Sequence, residues 1–251
     1  MASLGAHALS AIGEVQPGDD LAALIAAAAG ERGIHAGQVV VIAHKAVSKA
    51  EGALARLAGV KPSERALELA REQGRDARAV QVVLDESAEI IRAERGVLIC
   101  RTRHGFICAN AGVDASNSAD RETLILLPRD PDASARGIRA RLRELTGAPP
   151  AVLITDSFGR AWRHGQLDVA IGLAGMHALD DWRGRSDSRG LELRATWLAV
   201  ADAAAGAADL VRAKDSSEPV VLVEGLERFI TEEDGPGAAA LLRPAQEDLF
   251  L

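Results

Sequence analysis

The sequence predicts a mixed α+β fold, and three observations carry that expectation. Residues 38–43, 151–155 and 219–223 are short apolar runs rich in β-branched residues, as strands buried on both faces are. Between them lie longer stretches of helical period, bounded by capping residues and by Gly or Pro, so strands and helices alternate. The chain has 251 residues, 48% apolar and 26% charged, with no Pro/Gly/Ser-rich linker and no internal repeat. That suits one globular unit over 1–251, with room for two intertwined subdomains.

Taken in order, Pro17-Gly18-Asp19 reads as a turn, and Asp19 or Asp20 caps a helix running to Ala28. Residues 38–43 form a buried strand, and residues 44–52 (HKAVSKAEG) read as a polar loop after it. Pro62 and Ser63 open a helix to about Arg78. Residues 97–102 and 106–109 form two strands around the turn Arg103-His104-Gly105, followed by a small-residue loop over 109–117. Residues 124–127 make a short strand, and 134–146 an amphipathic helix left through Gly147 and Pro149. The strand at 151–155 stops at Asp156-Ser157. A polar stretch with a turn glycine follows, and apolar sequence resumes at 169–174. Residues 191–212 read as mostly helical, 219–223 as the last strand, and the tail from 241 as packing on the body.

Composition excludes several functions. With 3% aromatic residues and no Tyr, the chain lacks platforms for stacking single-stranded nucleic acid. A net charge of −7 argues against a nucleic-acid footprint. No run of about 20 apolar residues suggests a membrane span, and no secretory leader is visible, so a cytoplasmic location is expected. Cys100 and Cys108 flank the hairpin and are expected as two free core thiols. There is no GxxxxGK[ST] loop, no strand-coupled GxGxxG, no HExxH, no GxSxG and no CxxC pair.

Three polar segments, each following an apolar strand, carry the chemistry instead. In open α/β architectures such segments meet at the carboxyl ends of strands. In the first, Lys45 and Lys49 can meet phosphate oxygens as point charges. In the second, Asp114 and Asn117 offer side-chain oxygens among Gly and Ala, where backbone can approach a ligand, though Asx residues also cap turns. In the third, Asp156 is a hard oxygen ligand for magnesium or manganese, and Ser157 adds a hydroxyl. Arg160, Arg163 and His164 can hold polyphosphate or a substrate carboxylate, the arginines through a bidentate fork. Asp114, Asp156 and Ser157 brought together suit phosphoryl transfer.

Several blocks in order then resemble one family. They are EVQPGDDL from Glu14, KAVSKAEG from Lys45, ANAGVDASN from Ala109, LPRDPDASAR from Leu127, DSFGRAWRHGQ from Asp156, LLRP from Leu241 and DLF from Asp248. Together they span nearly the whole chain and resemble the coenzyme F-420:L-glutamate ligases, the gamma-glutamyl ligases of a deazaflavin coenzyme. The resemblance implies an α/β, non-P-loop fold, a homodimer, and GTP-dependent amide-bond formation. The terminal carboxylate of the deazaflavin coenzyme precursor would be activated by GTP as an acyl phosphate and attacked by the amine of L-glutamate. Later gamma-glutamyl additions are open to the same chemistry. It implies Mg2+ or Mn2+, with K+ as a helper in some members. By position, Asp114, Asp156 and Ser157 match the family's metal ligands, and Ile12, Gly13, Glu14, Val15, His44, Lys49 and Asn117 match its GTP contacts. Arg160 and Arg163 are our own assignment for a carboxylate or phosphate clamp. Gly13 stands where members usually carry Pro, and Ala203 where they usually carry Glu. Two other readings therefore stay open: an amide ligase for another carboxylate acceptor, and a nucleotide- and metal-binding protein without ligase turnover.

Overall fold

The computed structural model describes residues 3–116, 120–213 and 215–248. The chain opens with β1 (Gly5–Ala8) and α1 (Leu21–Ala29), whose start is fixed by the Asp20 carboxylate accepting from the Ala23 amide at 3.0 Å. Then come β2 (Val39–Ala43), α2 (His44–Glu51), closed by left-handed Gly52, and β3 (Leu54–Arg56). Next are α3 (Glu64–Gln73), capped by Ser63, and α4 (Ala77–Asp85), capped by Asp76. A meander follows, β4 (Ser87–Glu94), β5 (Val97–Thr102) and β6 (Ile107–Ala109), and then β7 (Thr123–Ile125). Helix α5 (Pro131–Thr146) carries Asp130 as its cap, Pro at its first position and Gly147 at its end. The last elements are β8 (Ala151–Arg160), β9 (Arg163–Ala174), β10 (Leu179–Asp181), β11 (Trp197–Ala199), α6 (Val200–Val211) and β12 (Val220–Glu224).

The structure corrects four readings of the sequence. Residues 44–51 are helix α2, not a loop; the helix has no side-chain cap bond at Ala43, so no capping signal announced it. The helix expected from Ser63 to Arg78 breaks at Gly74, which takes a left-handed conformation, and restarts behind Asp76. Only residues 200–211 of the stretch 191–212 are helical, and 197–199 are strand. The strand at 151 does not stop at Asp156-Ser157 but runs to Arg160 and turns back as β9.

The main sheet has the order β1-β12-β2-β8-β9. Strands β2 and β8 are its parallel pair, with Val39 opposite Ala151 and Ala43 opposite Thr155; all other neighbours are antiparallel. Alternation sorts the side chains of these strands onto two faces. Val40, Ile42, Val152, Ile154, Val220 and Leu222 face α1, α2 and α5. Val39, Val41, Leu153, Val221 and Val223 face α6. Both faces are covered, which is why these strands read as unbroken apolar runs. Full burial of Ile42, Leu153, Ile154 and Leu222 contributes about 1.5–3 kcal/mol each.

Helix α5 lies close against β9. A Cβ on Gly172 would collide with the backbone of Pro131, so only glycine fits there. A second, smaller core sits under the β4-β5-β6 meander, where Leu98 and Cys100 pack on Leu69, Val80 and Val83 of α3 and α4. Cys100 and Cys108 are opposite each other across β5 and β6, free and buried, as the sequence suggested. No helix among the described residues is long and apolar enough to cross a membrane.

Candidate active site

The site follows from the parallel pair. The pairing of β2 with β8 ends at Ala43 and Thr155, so the residues just beyond β2 meet Asp156 and Ser157, where β8 runs on past the end of its neighbour. A cavity of about 450 Å³ lies there, lined among others by Gly13 to Gln16, His44, Lys45, Lys49, Asp156, Ser157 and Arg212. Its size is within the range of small-molecule sites, about 300–1,000 Å³.

Alternation along β8 gives the cavity two different walls. Asp156 shares a face with Ile154 and Phe158, which pack in the core beneath α1 and α2. On that side, His44 Nε2 lies 3.2 Å from Asp156 Oδ1, and His44 is only 2% exposed. The contact is off the hydrogen-bond directions, so this buried nitrogen makes no hydrogen bond among the described residues. Its other ring nitrogen is 3.4 Å from Ser48 Oγ. The Ser157 amide donates to Asp156 Oδ1 at 2.8 Å and fixes the carboxylate.

Thr155 and Ser157 point to the α6 side, where Asp168 of β9 meets both. Thr155 Oγ1 donates to Asp168 Oδ2 at 3.0 Å and Ser157 Oγ to Asp168 Oδ1 at 2.6 Å. Arg212, just past α6, pairs with Asp168, donates to Thr155 Oγ1 at 3.2 Å and to the Pro219 carbonyl at 3.0 Å. Asp168 is 2% exposed and Arg212 9%; removing one partner from such a pair costs about 3–5 kcal/mol.

Asp168 faces α6 because of a β-bulge. Ile154 pairs with Gly172 but Thr155 with Ala170, so Ile171 is an extra residue. That shift reverses the faces of every residue of β9 before it. Beside the bulge, the Ala170 amide donates to Asp202 Oδ1 of α6 at 2.9 Å. Burial is the largest influence on Asp202 and raises its pKa, the Ala170 amide pulling the other way.

The meander supplies the third contributor. Beyond β6 the chain turns through Asn110, Ala111 and Gly112, all at positive φ, although Ala111 is buried. Arg75 donates to Asn110 Oδ1 at 2.7 Å and holds this turn. The turn delivers Asp114, whose Oδ2 lies 2.7 Å from Lys45 Nζ; the same ammonium donates to Ser116 Oγ at 2.6 Å. Burial works against ionisation of Asp114, but the Lys45 ammonium and the Ser116 amide outweigh it and hold the carboxyl below the usual range. Lys49 Nζ donates to Glu14 Oε1 at 2.5 Å, which ties the segment before α1 to α2.

The structure thus gathers Gly13, Glu14, Val15, His44, Lys49, Asp156 and Ser157 around one cavity, with Asp114 joined to it through Lys45. Ile12 is in the core rather than on the lining. Arg160 and Arg163 sit at the exposed tip of the β8–β9 hairpin, outside the lining; Arg160 donates to the His164 carbonyl at 2.6 Å. Asn117 lies outside the described residues. Sequence reading passed over Asp168, Thr155 and Arg212. The available signal was Asp168 itself, a lone carboxylate opening an otherwise apolar run, Asp168 to Ala174.

A sequence profile of the F420-0:gamma-glutamyl ligases matches residues 11–225. The chain is 46% identical to the coenzyme F420:L-glutamate ligase of Methanopyrus kandleri over 94% of its length and 93% of the relative's. It is 44% identical to the enzyme of that name from Methanothermobacter thermautotrophicus, over 94% of each chain. The chain belongs to the F420-0:gamma-glutamyl ligase family. The enzyme of the same name from Methanocaldococcus jannaschii is 41% identical over 86% of each chain. Membership makes the chain a ligase that forms an amide bond.

The oxygen donors around the cavity suit one class of ion. Among the described residues no three His, Cys, Asp or Glu side chains gather as an all-protein metal site. Asp156, Ser157 and, beside Lys45, Asp114 carry hard oxygen donors. That set fits magnesium or manganese, which take one or two carboxylates and complete their shell with phosphate oxygens and water. It does not fit a caged zinc site.

Proposed function

We propose that the chain joins L-glutamate to the terminal carboxylate of the deazaflavin coenzyme precursor, at the expense of GTP. The observation that carries this reading is the pairing, in one cavity, of cations with hard oxygen ligands. Lys45, Lys49 and Arg212 lie on the same walls as Asp156 and Ser157. A carboxylate is a poor electrophile, so its oxygen first attacks the γ-phosphorus and GDP leaves. The acyl phosphate so formed is attacked at carbon by the glutamate amine, which gives up a proton, and inorganic phosphate leaves as the amide forms. Asp156, Ser157 and Asp114 would hold Mg2+ or Mn2+, with K+ alongside; when bound, the divalent ion neutralises charge on the phosphate oxygens. Lys45 and Lys49, held at the cavity by Asp114 and Glu14, would meet phosphate as point charges. The segment from Gly13 to Gln16, tied down through Glu14 and Lys49, forms one side of the cavity and would close over the nucleotide there. We assign a homodimer as well, supported by Leu191, Trp197 and Leu198, which stand exposed on one stretch of chain.

The test is direct. The protein is incubated with the deazaflavin precursor, L-glutamate, GTP and manganese, and products are followed by mass. A product one glutamyl residue heavier, with GDP released in equal amount, is expected. Heavy oxygen placed in the acceptor carboxylate should appear in inorganic phosphate. Product without label transfer refutes the acyl phosphate, and no product refutes the substrate assignment. Sedimentation velocity at micromolar protein reads the dimer.

A further inference from the structure

We propose that Arg75 is a positioning residue for the cavity: through Asn110 it clamps the left-handed turn at 110–112, and so sets where the Asp114 carboxylate stands and how tightly it holds a divalent cation. The inference rests on the reading of Asp114 as a cation-binding carboxylate given above.

Asn110, Ala111 and Gly112 stand at positive φ in succession, and Ala111 is 2% exposed. Residues with a Cβ seldom take that conformation, and then singly. Such backbone persists where its surroundings over-determine it, most often beside functional sites. Two supports surround this turn. Ala111 packs with Leu69, Val80, Leu98 and Cys100 in the smaller core. Arg75 donates to Asn110 Oδ1 at 2.7 Å. Arg75 is rigidly mounted at the break between α3 and α4, where it follows left-handed Gly74 and its amide donates to the Ala70 carbonyl at 2.9 Å. Its guanidinium is half-buried, and among the described residues no carboxylate lies within ion-pair reach of it. Burial lowers its pKa, so the charge is held there at a cost, and the side-chain hydrogen bond it makes goes to the turn.

The turn leads to the carboxylate by a short, stiff link. Only Val113 intervenes, and its amide is bound back to the Asn110 carbonyl at 2.9 Å. Asp114 then exchanges backbone hydrogen bonds with Ile125 at 3.0 and 2.8 Å, a single bridge. One pair cannot fix its own register, and a slip of one residue turns a side chain to the opposite face. The shape of the turn therefore decides whether Asp114 Oδ2 meets the cavity-lining Lys45 at 2.7 Å.

The experiment titrates the full chain with manganese(II) alone, reading free ion by its electron paramagnetic resonance signal. Two variants open the clamp from opposite ends. Arg75→Ala removes the donor. Asn110→Gly removes the acceptor and leaves a residue that takes positive φ freely, so the fold is kept. Each should weaken manganese binding by about 10-fold, the lower end of the loss when support behind a metal ligand is removed. Arg75→Ala/Asn110→Gly should be no weaker than either alone, since both break one bond. Asp114→Ala should bind more weakly still, and adding Arg75→Ala to it should change nothing further, whereas a role in general folding or charge would add. Asn110→Gly binding manganese like the wild type, or Arg75→Ala adding its full effect to Asp114→Ala, overturns the role of Arg75 and leaves the cation reading standing. If Arg75→Ala does not fold, Asn110→Gly, alone and added to Asp114→Ala, carries the same expectation and the same refutation. Wild-type protein that takes up no manganese overturns the cation reading itself, and this role with it.

Discussion

Replacing Asp202 separates two properties of its carboxylate, its charge and its place as the acceptor for the bulge. The Ala170 amide is buried beside the bulge, and Asp202 Oδ1 receives it at 2.9 Å. Asp202→Ala leaves that amide without its acceptor, a loss of about 1–3 kcal/mol. At roughly 2–4 °C per kcal/mol for a chain of this length, the melting temperature should fall by about 2–12 °C. Asp202→Asn keeps the acceptor and removes the charge. Because burial raises the folded pKa of Asp202, the fold favours its neutral form. The wild-type contribution is thus fully present below the ordinary aspartate range, about 3.9, and is lost as pH rises through the raised value. At neutral pH, Asp202→Asn should be at least as stable as the wild type, and its advantage should vanish on acidification. Thermal melts of the three proteins between about pH 4 and pH 8 decide it, bracketing the carboxylate range. An Asp202→Asn protein less stable than wild type at neutral pH, or an Asp202→Ala protein that melts with it, would refute the bulge-anchor argument. Because the bulge also turns Asp168 toward Ser157, Asp202→Ala should lose turnover as well, and Asp202→Asn should retain it.

Three further expectations follow from the same geometry. Asp156→Ala should abolish metal-dependent turnover, while circular dichroism and the melting temperature stay near wild type; wild-type rates in this variant would sink the site assignment. Gly172→Ala drives a methyl into the Pro131 backbone, and overpacking of this kind costs about 1–3 kcal/mol, read as a lower urea midpoint at unchanged slope. Burial pushes the Cys108 thiol up to about 12, with Asp156 and Cys100 nearby adding to the effect. Native protein should therefore resist iodoacetamide at neutral pH and react once unfolded; rapid labelling of the folded chain would contradict this.

The strands at the centre were legible because they are buried on both faces, so the runs at 39–43, 151–154 and 220–223 left no ambiguity of period. Helix α2 was not, since His44–Glu51 offers neither a capping side chain nor a long apolar stripe. The break between α3 and α4 was written in Gly74 and Asp76 but was absorbed into a longer helical reading. Within the site, the polar residue types at Lys49, Asp156 and Ser157, each beside an apolar strand, marked them for the cavity they line. That His44 touches Asp156 depends on β2 and β8 being neighbours, a matter of topology rather than spacing. Asp168 was hidden more deeply. Its place beside Ser157 needs both the hairpin turn at 161–162 and the extra residue Ile171, and neither has a strong local signature.

Helix α2 is short, yet it joins three separate parts of the molecule. His44 at its start reaches Asp156 of the main sheet, and the next residue, Lys45, reaches Asp114 beyond the meander. Four residues later, one turn along, Lys49 holds Glu14 of the amino-terminal segment. A single residue inserted or removed between Ala43 and Lys49 would rotate the rest of the helix by about 100°. No side-chain rearrangement could restore those contacts together. The count of residues from the end of β2 to Lys49 is therefore fixed by contacts that lie in different parts of the chain.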